Sequence, residues 1–430
     1  MDSTQATAPP ARSASQSASA FAYRDFRIYW IGSYAAFLGQ RLNVVALSIL
    51  VFDLTGSPLR LGLVAAANAI PIIIFNIVGG VVADRMETRL LLRLTAIATT
   101  MLLAMLAVLV VTHVIEVWHV FVLAVLSGIA IGFDTPARQA YFPSLVPPRA
   151  TRSAVTLNGA MMASASVVMP TIGGLVISFF GTAAGFFIAA TGYGLMTLST
   201  WLLPRRKAIV EKGRKAFGDF LDGVSYIVRN RVFAVLIGLG FANMLFVFGY
   251  IQVLPAFASV FGGSDELIDR RVGFIFSAAG AGALLGTIFS GRIRPGRRLG
   301  WAILGAAFFF STFILLAAHS PDFYLVLVFV AIGHFGNGLF MTASMAALQL
   351  RVPDELRGRV MGVYAINQSL AILGGLWAGT MADVTTVRWG VAVGPVVLMA
   401  LITLIALTQR EVTGLTDDVD ERKTGKRYAD

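Results

Sequence analysis

Few side chains in this sequence are able to do chemistry, and their places are unusual. Arg41 stands inside a long apolar run that opens near Ile28 and closes near Phe52. None of the 23 Asp and Glu residues falls in the middle third of any such run. A guanidinium held in hydrocarbon costs at least ~2.5–3.5 kcal/mol even on insertion scales, so it is expected to serve something. It either grips an anionic or carbonyl-rich group or snorkels outward. Uncharged polar residues share these runs: Gln40 and Asn43, then Asn243, Tyr250 and Gln252, then His334 and Asn337, then Asn367. Amides in such places line a cavity or bond one helix to another. The groups that can change protonation are Asp53 and Asp134 at run ends and His334 well inside its run. Such groups are the candidates for proton coupling, and a lone histidine serves equally as a hydrogen-bonded packing residue.

Two further clusters read as mechanical parts. Gly80-Val-Val-Ala-Asp84-Arg85-Met-Glu-Thr-Arg89 closes the second apolar run. A carboxylate there can face the positive N-terminus of a later helix and hold a gate shut, with Arg89 in reach of Asp134. Ala165-xxx-Met169-Pro170-Thr-Ile-Gly173-Gly174 combines a helix-kinking proline with small residues that let backbones approach closely. Other chemistry is missing from the sequence. It has no cysteine, no Gly-xxxx-Gly-Lys phosphate loop and no His-Glu-xx-His pair, so no metal, ATP drive or cofactor is expected. His113, Glu116 and His119 read as a solvated loop.

These residues need elements to position them, and the composition says which. The 430 residues are 57% hydrophobic with 43 glycines and only 13% charged. Soluble chains run near ~45–50% apolar and ~25% charged. Apolar runs of roughly 20 residues each imply a membrane-spanning helix. The expected spans are 27–52, 60–83, 90–112, 117–138, 153–178 and 182–203, then 232–258, 272–291, 299–318, 323–350, 357–380 and 389–408. Of 34 Lys and Arg, 29 fall on one side of this layout, four on the other, and Arg41 within a span. By the positive-inside rule both termini are cytoplasmic. The formal charge of +11 is therefore a map of topology, and no nucleic-acid partner is expected.

The expected organisation is a disordered tail 1–23, a six-helix bundle 24–204, a linker 205–230, a second bundle 231–409 and a charged tail 410–430. The linker carries an amphipathic helix over 217–229. The halves repeat weakly at an offset of 206, which carries Gly32 onto Gly238 and Val146-Pro147 onto Val352-Pro353. A parallel duplication of this kind places a substrate site near the bilayer midplane, between the halves.

The loop at Gly80, Asp84, Arg85 and Arg89 resembles that of the major facilitator superfamily, with Glu87 where the family has a second glycine. The proline–glycine stretch at Pro170, Gly173 and Gly174 resembles that superfamily's antiporter motif, which in the family accompanies export. Leu54-Thr-Gly-Ser-Pro58 and Phe133-Asp-Thr-Pro-Ala-Arg-Gln139 narrow the likeness to the twelve-helix branch of siderophore and macrolide exporters. The resemblance implies an all-α membrane fold of twelve helices in two pseudo-symmetric bundles. It implies a monomeric secondary transporter of the inner membrane that exports a small organic molecule. In this fold spans one, four, seven and ten line the cavity, which makes Gln40, Arg41, Asn43, Asn243, Tyr250, Gln252, His334 and Asn337 the candidate substrate residues, with Asn367 beside them. The alternatives are a multidrug or lipid-related facilitator and, in another class, a non-transporting sensor or assembly factor.

Overall fold

Where no water is present, each backbone N–H and C=O must find its partner within its own segment, and a helix achieves this. The computed structural model describes residues 19–205, 216–291, 298–364 and 366–415. Among these every regular element is helical. Helix α1 (Arg24–Thr55) ends where Gly56 turns into the left-handed region at φ 59°. Ser57 then caps α2 (Pro58–Arg85) by accepting from the Arg60 N–H, with Pro58 in the first turn, where its missing N–H costs nothing. Helices α3 (Thr88–Val111) and α4 (Val117–Tyr141) follow, then α5 (Thr151–Leu202).

Eleven helical stretches among the described residues are long and apolar enough to cross a bilayer. The expected count of twelve differs at α5. This helix runs 52 residues, about 78 Å at ~1.5 Å per residue and more than twice a hydrocarbon core. It is broken at Gly181 (φ 79°, ψ 168°), a conformation open to glycine, so 151–180 and 182–202 are separate arms.

The linker helix is present as α6 (Ala216–Arg229), laid against the later helix Asp354–Tyr364, and residues 206–215 lie outside the described ones. The seventh span is not the single helix expected. It runs as α7 (Arg231–Ala242), a π-turn at Asn243–Val247, a 3₁₀ stretch at Phe248–Val253 and α8 (Leu254–Ser259). Beside this break the backbones of Gly249 and Gly374 touch, and a side chain on either would collide. Then come α9 (Asp265–Ser290), α10 (Leu299–His319), α11 (Phe323–Arg351), α12 (Asp354–Tyr364), α13 (Asn367–Val384), α14 (Val387–Thr408) and a final turn α15 (Arg410–Thr413).

Large apolar side chains face outward around the bundle: Met101 is 66% exposed, Phe180 74% and Leu407 78%. A surface of that kind suits lipid and not water.

Helices α1–α5 pack among themselves, as do α7–α14, and the two sets meet chiefly along α2–α13 and α5–α9. The meeting is one-ended. Near the start of α2, Gly62 lies on the Gly375 carbonyl and Leu376, and Gly379 lies on the Pro58 carbonyl. In the first arm of α5, Gly174 lies against Gly273. At the opposite ends, Gly80, Gly159 and Gly362 have nothing within 4 Å of where a side chain would begin. Glycine seams join the sets at one face, and at the other, the open end, these three glycines meet no neighbour.

Candidate functional site

Arg41 projects from the middle of α1 and is half-buried. Its buried Nε has no hydrogen-bond partner, and the guanidinium forms no ion pair among the described residues. An uncompensated cation in a low-dielectric site is a standing electrostatic cost, which an anionic group would offset. Gln40 beside it is also half-buried. Asn43 turns to another side and lines a cavity of about 90 Å³ with Asn68, Ser127 and Gln252. Asn68 Nδ2 donates to the Ala124 carbonyl at 3.0 Å, whereas the buried Asn43 Oδ1 has no partner. That volume suits a small group or water and falls below the ~300–1,000 Å³ of a ligand pocket.

A second polar cluster lies inside the α7–α14 set. Asn243 Nδ2 donates to Asn337 Oδ1 at 3.0 Å, both fully or nearly buried. One turn earlier on α11, His334 is ringed by Phe310, Phe248 and Tyr250 at centroid distances of 5.1, 5.8 and 6.1 Å. Its Nδ1 lies 3.1 Å from the Val330 carbonyl. Asn367 and Tyr364 both pack near Gly240 of α7. Aromatic side chains of the first and seventh spans pack within their own sets: Phe246 on Trp377 at 5.2 Å, and Tyr34 on Trp30 at 5.1 Å.

The charged residues at the open end depart from the sequence reading. Arg89 does not reach Asp134. Its Nε and Nη2 donate to the carbonyls of Thr200 and Trp201 at 2.7 and 3.1 Å, where a cation meets the negative end of α5. Asp134 instead pairs with Arg138 one turn along α4 and accepts from Thr95 Oγ1 at 3.0 Å. Arg138 goes on to donate to Ser33 Oγ of α1 at 3.1 Å. The competing geometry is local: an acid four residues before an arginine on one helix face is already within reach.

Sequence reasoning passed over Arg138, although that i, i+4 spacing was its signal. Gly80 and Arg85 stand at the open end, Arg85 exposed, and Asp84 lies in α2 with its side chain outside the described residues. The Pro170 side chain is likewise outside them. Gly173 meets Leu42 of α1, and Gly174 forms the seam with α9. Asp53 is exposed in the last turn of α1, and Gln252 packs over Gly375.

Two helix sets of like size, sealed along small-residue seams at one face and separated at the other, define a membrane carrier. A family model described as "transmembrane secretion effector" matches residues 15–424, and the chain belongs to this family of the major facilitator superfamily. It is a transporter and not an enzyme.

The chain is 27% identical over 387 residues to the uncharacterised transporter YfiS of Bacillus subtilis, covering 86% of this chain and 88% of that one. It is 25% identical to the multidrug efflux pump Tap of Mycolicibacterium fortuitum, over 80% and 86% of the two chains. With the enterobactin exporter EntS of Escherichia coli O1:K1 it shares 24% identity over 82% and 85%. Its fold matches that of a bacterial homologue of the human lysosomal transporter Spinster, solved inward-facing and unoccupied. The TM-score is 0.69 at 15% identity, over 89% of this chain and 95% of that one.

Proposed function

We propose that this protein exports a small anionic or oxygen-rich organic molecule across the inner membrane by alternating access. Twelve crossings, both termini in the cytoplasm and bundles at 24–204 and 231–409 complete the reading, with the chain acting as a monomer. The observation that carries it is Arg41, an unpaired cation in a transmembrane helix with no acid at its depth. Under the arginine-count topology the glycine seams lie outside and the open end lies inside. The molecule is then poised to receive a cytoplasmic substrate, whose anionic group Arg41 takes up. Rocking about the seams closes Gly80 and Asp84 on the start of α12 and opens the outer face. The likeness to EntS and Tap supports export.

A second reading, multidrug efflux, is favoured by the likeness to Tap and by the scarcity of charge around Arg41. The two separate in counterflow of carboxyfluorescein, an anion, and ethidium, a cation, in proteoliposomes. An anion exporter loses carboxyfluorescein exchange in Arg41→Ala and keeps part of it in Arg41→Lys. Undiminished anion exchange in both variants refutes the reading, and equal handling of the two dyes supports multidrug efflux.

A further inference from the structure

The seventh span and α11 run antiparallel, and their contact carries a file of buried polar groups that the protein itself does not satisfy. From the inner side outward these are Ser344 Oγ, Asn243 Oδ1, His334 Nε2 and Tyr250 Oη, each without a hydrogen-bond partner. All four residues are at most 2% exposed. An unpaired buried polar atom costs about 1–3 kcal/mol, so four in one file are not incidental. They fall where the seventh span changes from α to π to 3₁₀ winding, an irregularity that in membrane helices is tolerated where backbone or side chains serve a polar path.

The histidine's chemistry is fixed by its other nitrogen. A carbonyl only accepts, so Nδ1 carries a hydrogen and donates it to Val330 at 3.1 Å. In the neutral ring Nε2 is then a bare acceptor, and the Tyr250 ring, whose hydroxyl is also unpartnered, stands edge-on to the imidazole at a centroid distance of 6.1 Å.

We propose that this file is a hydrated proton path within the C-terminal helix set, and that His334 is the group whose protonation couples transport to the proton gradient. The inference rests on the transporter reading and deepens it. A proton from the outer aqueous phase passes through water beside Tyr250 and binds the Nε2 lone pair, giving an imidazolium whose Nδ1–H still bonds Val330. When the other face opens, the same N–H bond breaks and the proton leaves to water, so no bond is made or broken elsewhere. The groups facing the ring are Phe248 and Tyr250 from the seventh span, Phe310 from α10 and the Val330 carbonyl of α11. Among the described residues Tyr250 is the only titratable one of these.

The other candidates are occupied or displaced. Both Asp134 carboxylate oxygens are engaged, by Thr95 and by Arg138, and Asp53 is exposed at a helix end.

Two measurements on the full chain test this. Potentiometric proton uptake by the solubilised protein between pH 8 and pH 3 needs no substrate. His334→Gln should take up about one proton fewer per chain, and equal uptake overturns the proposal. In proteoliposomes, carboxyfluorescein counterflow is compared with uptake driven by an imposed pH gradient. The variant should lose the driven component by a much larger factor than counterflow, whereas unchanged driven uptake overturns the proposal. Tyr250→Phe keeps the packing and removes the hydroxyl, and should slow driven uptake severalfold more than it slows counterflow. Equal loss of both modes in His334→Gln and in Tyr250→Phe marks a structural role and also overturns it. If wild type shows no counterflow, the anion-transport reading fails, and proton uptake still decides the role of His334.

Discussion

The two helix sets each bury a polar network, and the networks are opposites. In the first set Thr95, Asp134, Arg138 and Ser33 form a chain across three helices in which each charge has its partner. In the second set Asn243, Asn337, His334 and Tyr250 carry no formal charge, and three of them leave an atom unpaired. The ion pair lies within α4, and each of its charges also holds a buried hydrogen bond to a neighbouring helix, to Thr95 of α3 and Ser33 of α1. Loss of either bond on movement of those helices would leave a buried charge less well satisfied. A loosely satisfied neutral network can exchange partners with water at small cost. The first set therefore works as a rigid arm, and the second holds the adjustable interior.

The largest predicted effect breaks the rigid arm. Arg138→Ala leaves Asp134 buried without its cation and should cost about 3–5 kcal/mol in detergent unfolding. The double variant Asp134→Asn with Arg138→Gln should recover much of that loss, because neither charge is then stranded. A loss in the double variant equal to the sum of the single ones would remove the distinction between the two sets. Next in size, Asn337→Ala removes the acceptor for Asn243 Nδ2 and should destabilise by about 1–3 kcal/mol. At the outer seam, Gly62→Ala places a methyl group on the Gly375 carbonyl, and Gly174→Ala places one on Gly273. Both should shift the resting population toward outer opening, read as faster labelling of a cysteine introduced at Arg60. The smallest effect falls on Arg89→Gln. Losing a cation from the end of α5 should cost about 0.3–1 kcal/mol, with little change in the Asp134 network.

The sequence made some of this legible and hid the rest for physical reasons. Span positions follow from run length and charge, since lipid admits few other structures, and α1, α3, α4, α10 and α14 lie within a few residues of expectation. The break in the seventh span did not show, because an apolar run reads alike whether its turns are α, π or 3₁₀. The backbone packed against it at Gly249 is that of Gly374, far away in sequence. Arg41, Asn43, Asn243 and His334 stood out as polar residues in apolar runs. What pattern could not give is which of them would find partners: Asn243 and Asn337 are 94 residues apart and meet, whereas Arg89 and Asp134 are both near the open end and do not. The Gly174–Gly273 contact is half legible, since the proline–glycine motif marks a close approach but not its partner.

Alternating access is the central claim, and the absence of native cysteine makes it directly measurable. Paired spin labels at Gly80 and Gly362 report the open end, and labels at Arg60 and Val384 report the sealed one. The account predicts a long inner distance and a short outer distance in the resting protein. On adding carboxyfluorescein, a second population should appear with the inner distance shortened and the outer one lengthened together. A single unchanged distance at both pairs, or both pairs moving in the same direction, would contradict it.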